Sequence, residues 1–312
     1  MTAPASDASR AAADVATLLE GYGLPAPIVS ALSGGMENVH YRAETPRGPV
    51  VVTVLCKKTR QEAEHYVRFL EGLRTAGAPV PRLRPLVEGG WVSEHAGHPV
   101  IVADFIDGRQ YAVVPPRLVE AAGAALGRVH RLAAHVDCPL PPNLRLGADE
   151  AALLAELPDD DFARWARTTL RETDYVTRQT GPMVAVHADL FPDNIIVPAG
   201  QGRDVVFIDW EDGSRDFPTM DVGMALLGLC CPDGFCLPRA RRLLRGYATG
   251  SGHHLDPSLV RDCARYAAVL VSLRRYRWQH AGHLPADTAR THTALMRPVT
   301  ELQQMGEEMD QP

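Results

Sequence analysis

The sequence predicts an α+β protein with two lobes. The N-terminal lobe, residues 1–105, is expected to hold an antiparallel sheet with a helix, and the C-terminal lobe, residues 106–312, to be mainly helical. Short β-rich runs between turns occupy the first third of the chain, whereas later segments repeat apolar residues at helical spacing. With 312 residues and 46% hydrophobic content, the chain can bury a large core, as one two-lobed unit or as two small domains.

Turn residues and apolar spacing define the elements of the N-terminal lobe. A helix over 13–20 ends at Gly21, and a second helix over 60–76 ends at a Gly-Ala-Pro stop. Strands are expected before and after the second helix, at 28–32, 39–43, 49–55, 83–87 and 99–105.

The C-terminal lobe begins after a turn-rich link that runs from Gly108 to Pro116. Apolar residues at helical spacing predict helices at 118–134, 150–157, 162–175, 239–247 and 259–277. Between the third and fourth of these, two β-rich runs flank a turn and predict a hairpin over 195–208.

Composition and charge exclude several classes of protein. The formal net charge of −6 and the sequence pI of about 6.1 argue against a nucleic-acid partner. The first 35 residues lack the apolar core of a signal peptide, and no stretch approaches eighteen uncharged apolar residues. Six cysteines in a chain of this length do not form a secreted disulfide framework. We therefore expect a cytoplasmic protein without a membrane partner; its oligomeric state stays open.

The run His-Ala-Asp-Leu-Phe-Pro-Asp-Asn at 187–194 carries the chemistry. It fits the pattern H-x-D-x-x-x-x-N, in which the aspartate orients or accepts the proton of an acceptor hydroxyl and the asparagine binds Mg²⁺. Asp189 and Asn194 occupy these positions, and Asp209 follows the predicted hairpin. Because a hairpin brings its ends together, Asn194 and Asp209 should emerge near the same end and hold Mg²⁺ against the phosphates of ATP. This ordered set predicts an ATP-dependent phosphotransferase.

A glycine-rich turn between the first two strands is a candidate phosphate-binding loop. Ser33, Gly34 and Gly35 can let backbone N–H groups approach phosphate oxygens without a Cβ in the way. The loop lacks a full G-x-G-x-x-G, and the chain contains no Walker A sequence, so an ordinary hairpin turn is the alternative.

The third strand lacks the lysine that kinases use to hold the α- and β-phosphates. Thr53 stands where that lysine is expected, and Lys57 shares its face about 13 Å further along the strand. Lys57 can replace the missing lysine only if the strand ends differently, and Glu62 or Glu64 on the next helix is then its candidate partner. The alternative is a solvated Lys-Lys turn before a charged helix.

The end of the last N-terminal strand is a candidate adenine-binding hinge. Asp104 and Ile106 flank Phe105, against which adenine can stack while its edge bonds to backbone groups. An ordinary strand end is the alternative, since such pocket walls are not residue-specific.

The run 187–194 resembles that of the aminoglycoside phosphotransferase and choline kinase superfamily, and its wording most resembles that of the bacterial homoserine kinases. The resemblance covers about residues 30–280 and implies a protein-kinase-like fold. It also implies that Asp189 is the catalytic base, that Asn194 and Asp209 hold magnesium, and that Asp221 begins a helix that braces the site.

The acceptor is expected to be a small molecule, because no A-P-E motif follows Asp209. We assign Glu211, Arg274 and Trp278 to acceptor binding, since an arginine with an acidic partner suits an amino alcohol such as homoserine. An acidic run at 156–161 suits a polycationic aminoglycoside equally well. An antibiotic O-phosphotransferase in resistance or biosynthesis, and a nucleotide-binding pseudokinase, therefore remain alternatives.

Overall fold

The structure is a computed structural model, which describes residues 5–25, 28–32, 38–137, 142–200, 205–281 and 291–304. The chain divides into two compact units, Met1–Asp107 and Gly108–Pro312. Within the described residues, no helix is both long enough and apolar enough to cross a membrane.

The N-terminal unit contains a five-stranded sheet and two helices. Its elements are α1 (Ala5–Glu20), β1 (Ile28–Leu32), β2 (Val39–Glu44), β3 (Val50–Val54), α2 (Arg60–Thr75), β4 (Ser93–His95) and β5 (His98–Asp104). The strands lie in the order β1-β2-β3-β5-β4, and each neighbouring pair is antiparallel. The predicted antiparallel sheet is confirmed.

Alternation along β3 builds the core of this unit. Val50, Val52 and Val54 are buried, whereas the residues between them are only partly buried. The buried valines share one cluster with Val15 and Leu19 of α1. Full burial of such side chains stabilises the fold by roughly 1.5–3 kcal/mol each. Because side chains alternate along a strand, Thr53 lies on the opposite side of β3, away from this core.

The predicted strand at 83–87 is wrong. Leu83 forms an isolated bridge with Ala103, and Pro85 then removes the backbone donor that a longer ladder needs. The strand β4 occupies the sheet edge beside β5 instead. A two-residue turn joins them, in which Ala96 and Gly97 both have positive φ, 50° and 81°. Alanine is an unusual residue at such a turn position, so the sequence did not predict the β4–β5 hairpin.

The C-terminal unit is mainly helical, as predicted. Its elements are β6 (Gly108–Arg109), α3 (Pro116–Leu132), α4 (Ala148–Glu156), α5 (Asp161–Thr173), β7 (Val184–Val186), β8 (Ile195–Pro198), β9 (Val206–Phe207), β10 (Ser214–Asp216), α6 (Pro218–Cys230), α7 (Leu237–Ser251), α8 (Pro257–His280) and α9 (Met296–Gln304). The strands form two small sheets, β6-β8-β9 and β10-β7. Helix α3 packs against α7, and α6 packs against α8.

Amphipathic spacing in the sequence did not predict two helices of this unit, α6 and α9. Nearly every residue of α6 is buried, so the helix carries no polar stripe. At α9, the buried residues are Leu295, just before the helix, and Val299 and Leu302 within it. Their spacing of four and then three residues is typical of one face of a helix. Both helices contribute to the site described next.

Candidate active site

The predicted hairpin forms and brings Asn194 and Asp209 to one end of it. In the β8–β9 pair, Ile195 lies opposite Phe207. One residue beyond, the backbone N–H of Ile208 donates to the carbonyl of Asn194 at 3.0 Å. Asp209 follows directly, so the two predicted metal ligands emerge from adjacent backbone.

Asn194 is buried and faces Asp189. It ends a 3₁₀ turn, Pro192–Asn194, whose proline supplies a fixed φ at the first position. The side-chain Nδ2 donates to the backbone carbonyl of Asp189 at 2.8 Å and to its Oδ2 at 3.0 Å. Neither bond uses the amide oxygen of Asn194, the atom that can bind a hard cation.

Asp189 lies among other carboxylates. Burial raises its pKa, and the charges of Asp212, Asp209 and Asp193 raise it further, to about 7, against the lowering effect of the hydrogen bond from Asn194. These carboxylates give the surroundings of Asp189 an excess of negative charge, which attracts cations.

Asp221 braces the backbone in front of Asp189. This fully buried carboxylate, in the first turn of α6, accepts the N–H of His187 at Oδ2 and the N–H of Ala188 at Oδ1, both at 2.8 Å. Ala188 has a φ of +67°, a strained conformation for a residue with a Cβ that costs on the order of 1–3 kcal/mol. The two bonds hold the chain in this conformation, and Asp189 follows directly.

His187 is held as a neutral imidazole. The N–H of Asp189 donates to its Nδ1 at 3.3 Å, so Nδ1 carries no proton and Nε2–H donates to the carbonyl of Ile208 at 2.9 Å. Burial lowers the pKa of His187, in keeping with this tautomer. The imidazole thereby links the backbone at Asp189 to the strand end that precedes Asp209.

His130 extends the brace to two further helices. Its Nε2 lies 3.0 Å from Oδ2 of Asp221, and its Nδ1 lies 3.0 Å from the hydroxyl of Tyr247. This buried set connects α3, α6 and α7. In the sequence, His130 is a histidine near a helix end, which is usually an ordinary packed residue. Its role is visible only in the folded protein, where it lies opposite the buried carboxylate of Asp221.

Asp209 begins a tight turn. Its φ and ψ of 59° and 58° are left-handed, and the 3₁₀ turn Trp210–Asp212 follows. The indole of Trp210 is fully buried and donates to the carbonyl of Phe207 at 2.9 Å. A buried anchor directly after an exposed aspartate keeps the carboxylate of Asp209 at the surface of the unit, where it can reach a ligand.

A cavity of about 700 Å³ adjoins the loop that carries Asp189. The loop residues Phe191–Asp193, the end of α6 and its following turn, Arg275 of α8 and residues 294–298 contribute to its wall. Helix α6 approaches the loop closely because residue 228 is glycine: a Cβ there would lie 2.3 Å from the carbonyl oxygen of Leu190. The cavity therefore depends on a helix-to-loop contact that only glycine permits.

None of the three residues assigned to acceptor binding, Glu211, Arg274 and Trp278, contributes to the wall of this cavity. Arg274 donates to the backbone and side-chain oxygens of Asn143, at 2.9 and 2.8 Å, and pairs with Glu150 at 3.6 Å. Trp278 is partly buried one turn later on α8, and Glu211 lies in the turn after Asp209. The cavity wall contains the neighbouring Arg275, which points from another face of α8.

The residues assigned to the nucleotide lie mainly in the N-terminal unit. Ser33, Gly34 and Gly35 lie outside the described residues. Thr53 is partly buried on β3, and its Oγ1 lies 3.1 Å from Nδ1 of His40. Lys57 is exposed three residues after β3 ends.

Glu62 has a local partner. It accepts the N–H and the hydroxyl of Thr59 at 2.7 and 2.8 Å and completes the capping box at the start of α2. The structure thus gives Glu62 a structural role at this helix end.

The predicted hinge residues follow β5. Asp104 ends the strand and pairs with Arg84, and its N–H donates to the carbonyl of Arg82 at 2.8 Å. Ile106 is partly buried two residues later. Between them, the ring of Phe105 lies 4.1 Å from the guanidinium carbon of Arg42. One face of that aromatic ring is therefore already covered.

A family model described as a phosphotransferase enzyme family matches residues 28–269. The chain belongs to this phosphotransferase family. Its relatives include the homoserine kinase of Caulobacter vibrioides, 26% identical over 251 residues, with 75% of this chain and 76% of the relative covered. The homoserine kinase of Brucella abortus strain S19 is 28% identical over 261 residues, with 79% and 78% covered.

Solved structures of small-molecule kinases have the same fold. The choline kinase LicA from Streptococcus pneumoniae has a TM-score of 0.68 at 18% identity and covers 95% of this chain and 98% of its own. The spectinomycin phosphotransferase APH(9)-Ia, solved with ADP and spectinomycin, has a TM-score of 0.63 at 13% identity, covering 96% and 94%. The predicted family and kinase-like fold are confirmed. The protein is a small-molecule phosphotransferase with an alcohol group as acceptor.

Proposed function

We propose that this phosphotransferase transfers the γ-phosphate of ATP to the hydroxyl of a small amino alcohol that carries a carboxylate, as homoserine does. Asp189 acts as the base, and Asn194 and Asp209 hold Mg²⁺. The observation that supports these roles best is the pair of hydrogen bonds from Asn194 to Asp189, beside the hairpin contact that leads to Asp209.

The donor set fits magnesium. Among the described residues, no group of three or more His, Cys, Asp or Glu side chains has the arrangement of a metal centre. Mg²⁺ does not require one, because it binds through one or two protein oxygens and completes its shell with phosphate oxygens and water. An amide oxygen from Asn194 and a carboxylate from Asp209 match that preference. Bound there, Mg²⁺ would neutralise charge that develops on the transferred phosphoryl group.

The chemical step needs little from the protein beyond position and one proton acceptor. The acceptor oxygen forms a bond to the γ-phosphorus while the bond to the bridging oxygen breaks and ADP leaves; the hydroxyl proton passes to Asp189. Asn194 keeps the Asp189 carboxylate in place through Nδ2, and the bonds to Asp221 keep the backbone before it from relaxing. The rigid loop thus keeps the base oriented toward the acceptor.

Charge in the cavity favours a zwitterionic acceptor. Its wall carries two aspartates, Asp193 and Asp233, and two arginines, Arg275 and Arg297. A balanced wall suits one ammonium and one carboxylate, whereas a polycation needs an excess of carboxylates.

The acidic run at 156–161 offers weaker support for an aminoglycoside. Asp160 caps α5 by accepting the N–H of Ala163 at 2.8 Å, and Arg164 pairs with Asp159 and Asp161. These contacts explain the run as the start of a helix. An antibiotic O-phosphotransferase remains the second candidate, because spectinomycin phosphotransferase shares the fold.

ADP release with a panel of acceptors tests the proposal. The panel comprises homoserine, choline, hydroxylysine, aminoglycosides and nucleoside antibiotics, each with Mg-ATP. We expect homoserine or a close amino-acid alcohol to be turned over, and Asp189→Asn to lower kcat by roughly 10²–10⁴-fold. Turnover of aminoglycosides alone would favour the second candidate. Nucleotide binding without ADP release for every acceptor would indicate a pseudokinase.

A further inference from the structure

Arg275 lies in the cavity wall next to the catalytic loop. Its guanidinium carbon is 5.6 Å from the centre of the Phe191 ring, two residues after Asp189, and only 8% of the residue is exposed. A cation–π contact with an aromatic ring helps to orient a guanidinium, and a guanidinium can bind a carboxylate in a bidentate manner. The arginine is therefore oriented before any ligand arrives.

Arg297 reaches the same cavity from α9. It is exposed, and its Nε pairs with Glu301 one turn later at 2.7 Å. Arg297 also lies near the turn 232–234, because its Nη2 would be 3.4 Å from a Cβ at Gly234. The cavity thus has one buried arginine beside the loop and one exposed arginine at its rim.

Glu301 fixes α9 to the turn that follows α6. Its Oε2 accepts the N–H of Phe235 at 2.8 Å while its Oε1 accepts from Arg297. Gly234 lies 2.6 Å from Oε2 of Glu301, measured from where its Cβ would be, and its φ of +124° is a backbone conformation that favours glycine. Helix α9 and the turn consequently form one wall, with Arg297 at a defined position in it.

We propose that Arg275 binds the carboxylate of the acceptor, that Arg297 adds a second contact from α9, and that Glu301 positions Arg297. This assignment rests on the proposed function and names the residues that set its acceptor specificity. Arg275 is the stronger determinant because its charge is removed from water, where a hydrogen bond to an anion discriminates more than at an exposed rim.

The preference between two acceptors tests the assignment. Homoserine and 3-aminopropan-1-ol differ only in the carboxylate, so the ratio of their kcat/KM values isolates its recognition. We expect Arg275→Gln to lower this ratio by about 100-fold and Arg297→Gln by about tenfold, since charge-assisted hydrogen bonds discriminate on this order. Arg164→Gln, which removes another exposed, acid-paired arginine, should leave the ratio unchanged.

A positioning role for Glu301 has its own signature. Glu301→Ala should lower the ratio as Arg297→Gln does, and the double variant Glu301→Ala/Arg297→Gln should lower it no further, because Glu301 acts through Arg297. A further loss in the double variant, or an unchanged ratio in Glu301→Ala, would overturn that role.

The outcomes separate this assignment from the proposed function. If Arg275→Gln lowers kcat/KM equally for both acceptors, or if the wild type turns over alcohols without preferring a carboxylate, the arginine assignment is wrong although phosphotransfer stands. If no alcohol is turned over, the proposed function is wrong. Calorimetry with homoserine then decides the assignment: binding that is lost in Arg275→Gln supports it, and no binding to the wild type overturns it.

Discussion

The loop that carries Asp189 and the segment from β3 to the start of α2 were both predicted to contribute to phosphate transfer, but their side chains are held by different kinds of contact. In the C-terminal unit, Asp189 and Asn194 bond to each other, and buried Asp221 bonds to the backbone in front of them. In the N-terminal unit, Thr53 contacts His40 and Glu62 caps α2. Asp189 and Asn194 bond to each other and belong to one motif, whereas Thr53 and Glu62 each bond to a different residue and form no common set.

The largest effect on stability is expected from Asp221→Asn. The amide would place an N–H₂ group against backbone donors that now meet a buried carboxylate, a loss of about 3–5 kcal/mol in the free energy of unfolding. Asp161→Asn, on an exposed pair, should cost less than about 1 kcal/mol. Denaturant unfolding compares the two, and equal losses would mean that the brace is unimportant.

The same aspartate predicts a pH dependence. Burial alone would raise the pKa of Asp221, but the hydrogen bond from His130 and the nearby imidazoles lower it below the usual range. Its contribution is therefore complete above the unfolded pKa of about 3.9 and is lost as the pH falls through the lower folded value. Asp221→Asn should reduce the loss of stability in this acid range; an unchanged acid profile would contradict the assignment.

Gly228→Ala should have the next largest effect. The added Cβ would collide with the carbonyl of Leu190, so α6 must move from the catalytic loop at a cost of about 1–3 kcal/mol. We expect lower stability together with lower kcat. Gly147→Ala is the control, because its Cβ would meet only the flexible end of Glu150. Full activity of Gly228→Ala would show that the loop tolerates displacement.

Lys57→Gln is expected to have a moderate effect, confined to the nucleotide. If Lys57 replaces the lysine missing at Thr53, the KM for Mg-ATP should rise by about tenfold with little change in stability, since a charge-assisted contact is lost. Lys58→Gln, a change in the adjacent lysine, provides the control. Equal KM values for both variants would favour a solvated turn.

Glu62→Ala should have the smallest effect and no catalytic one. Loss of the capping box costs about 0.5–1 kcal/mol, and Glu62→Gln should retain most of that energy because glutamine also serves in a capping box. A rise in the KM for ATP in the alanine variant would restore Glu62 to the phosphate site. Thermal unfolding and steady-state kinetics together decide.

The sequence predicted much of the fold because local patterns specify most of its elements. Alternation identified β3, and the glycine stop identified the end of α2. The hairpin to Asp209 was likewise visible. Apolar spacing did not identify α6, because the helix is buried nearly all round, and only the family resemblance implied a helix at Asp221. The strand β4 was missed because alanine occupies a turn position where glycine or asparagine is usual.

The candidate site was predictable only where its residues are close in sequence. Asn194 lies five residues from Asp189, so spacing alone suggested their contact. His130 and Arg275 come from distant helices, and only packing brings them to the loop. Arg274 and Arg275 are neighbours on α8, and composition cannot tell that Arg275 is the one that lines the cavity.

The division of roles between Asp189 and Asp209 is the central claim, and calorimetry of Mg-ADP binding tests it most directly. Asp209→Ala removes a proposed metal ligand and should weaken binding by at least about tenfold, whereas Asp189→Ala removes mainly a proton acceptor and should change the Kd by less than about threefold. Equal loss of affinity in both variants would contradict the assignment of base and metal ligand.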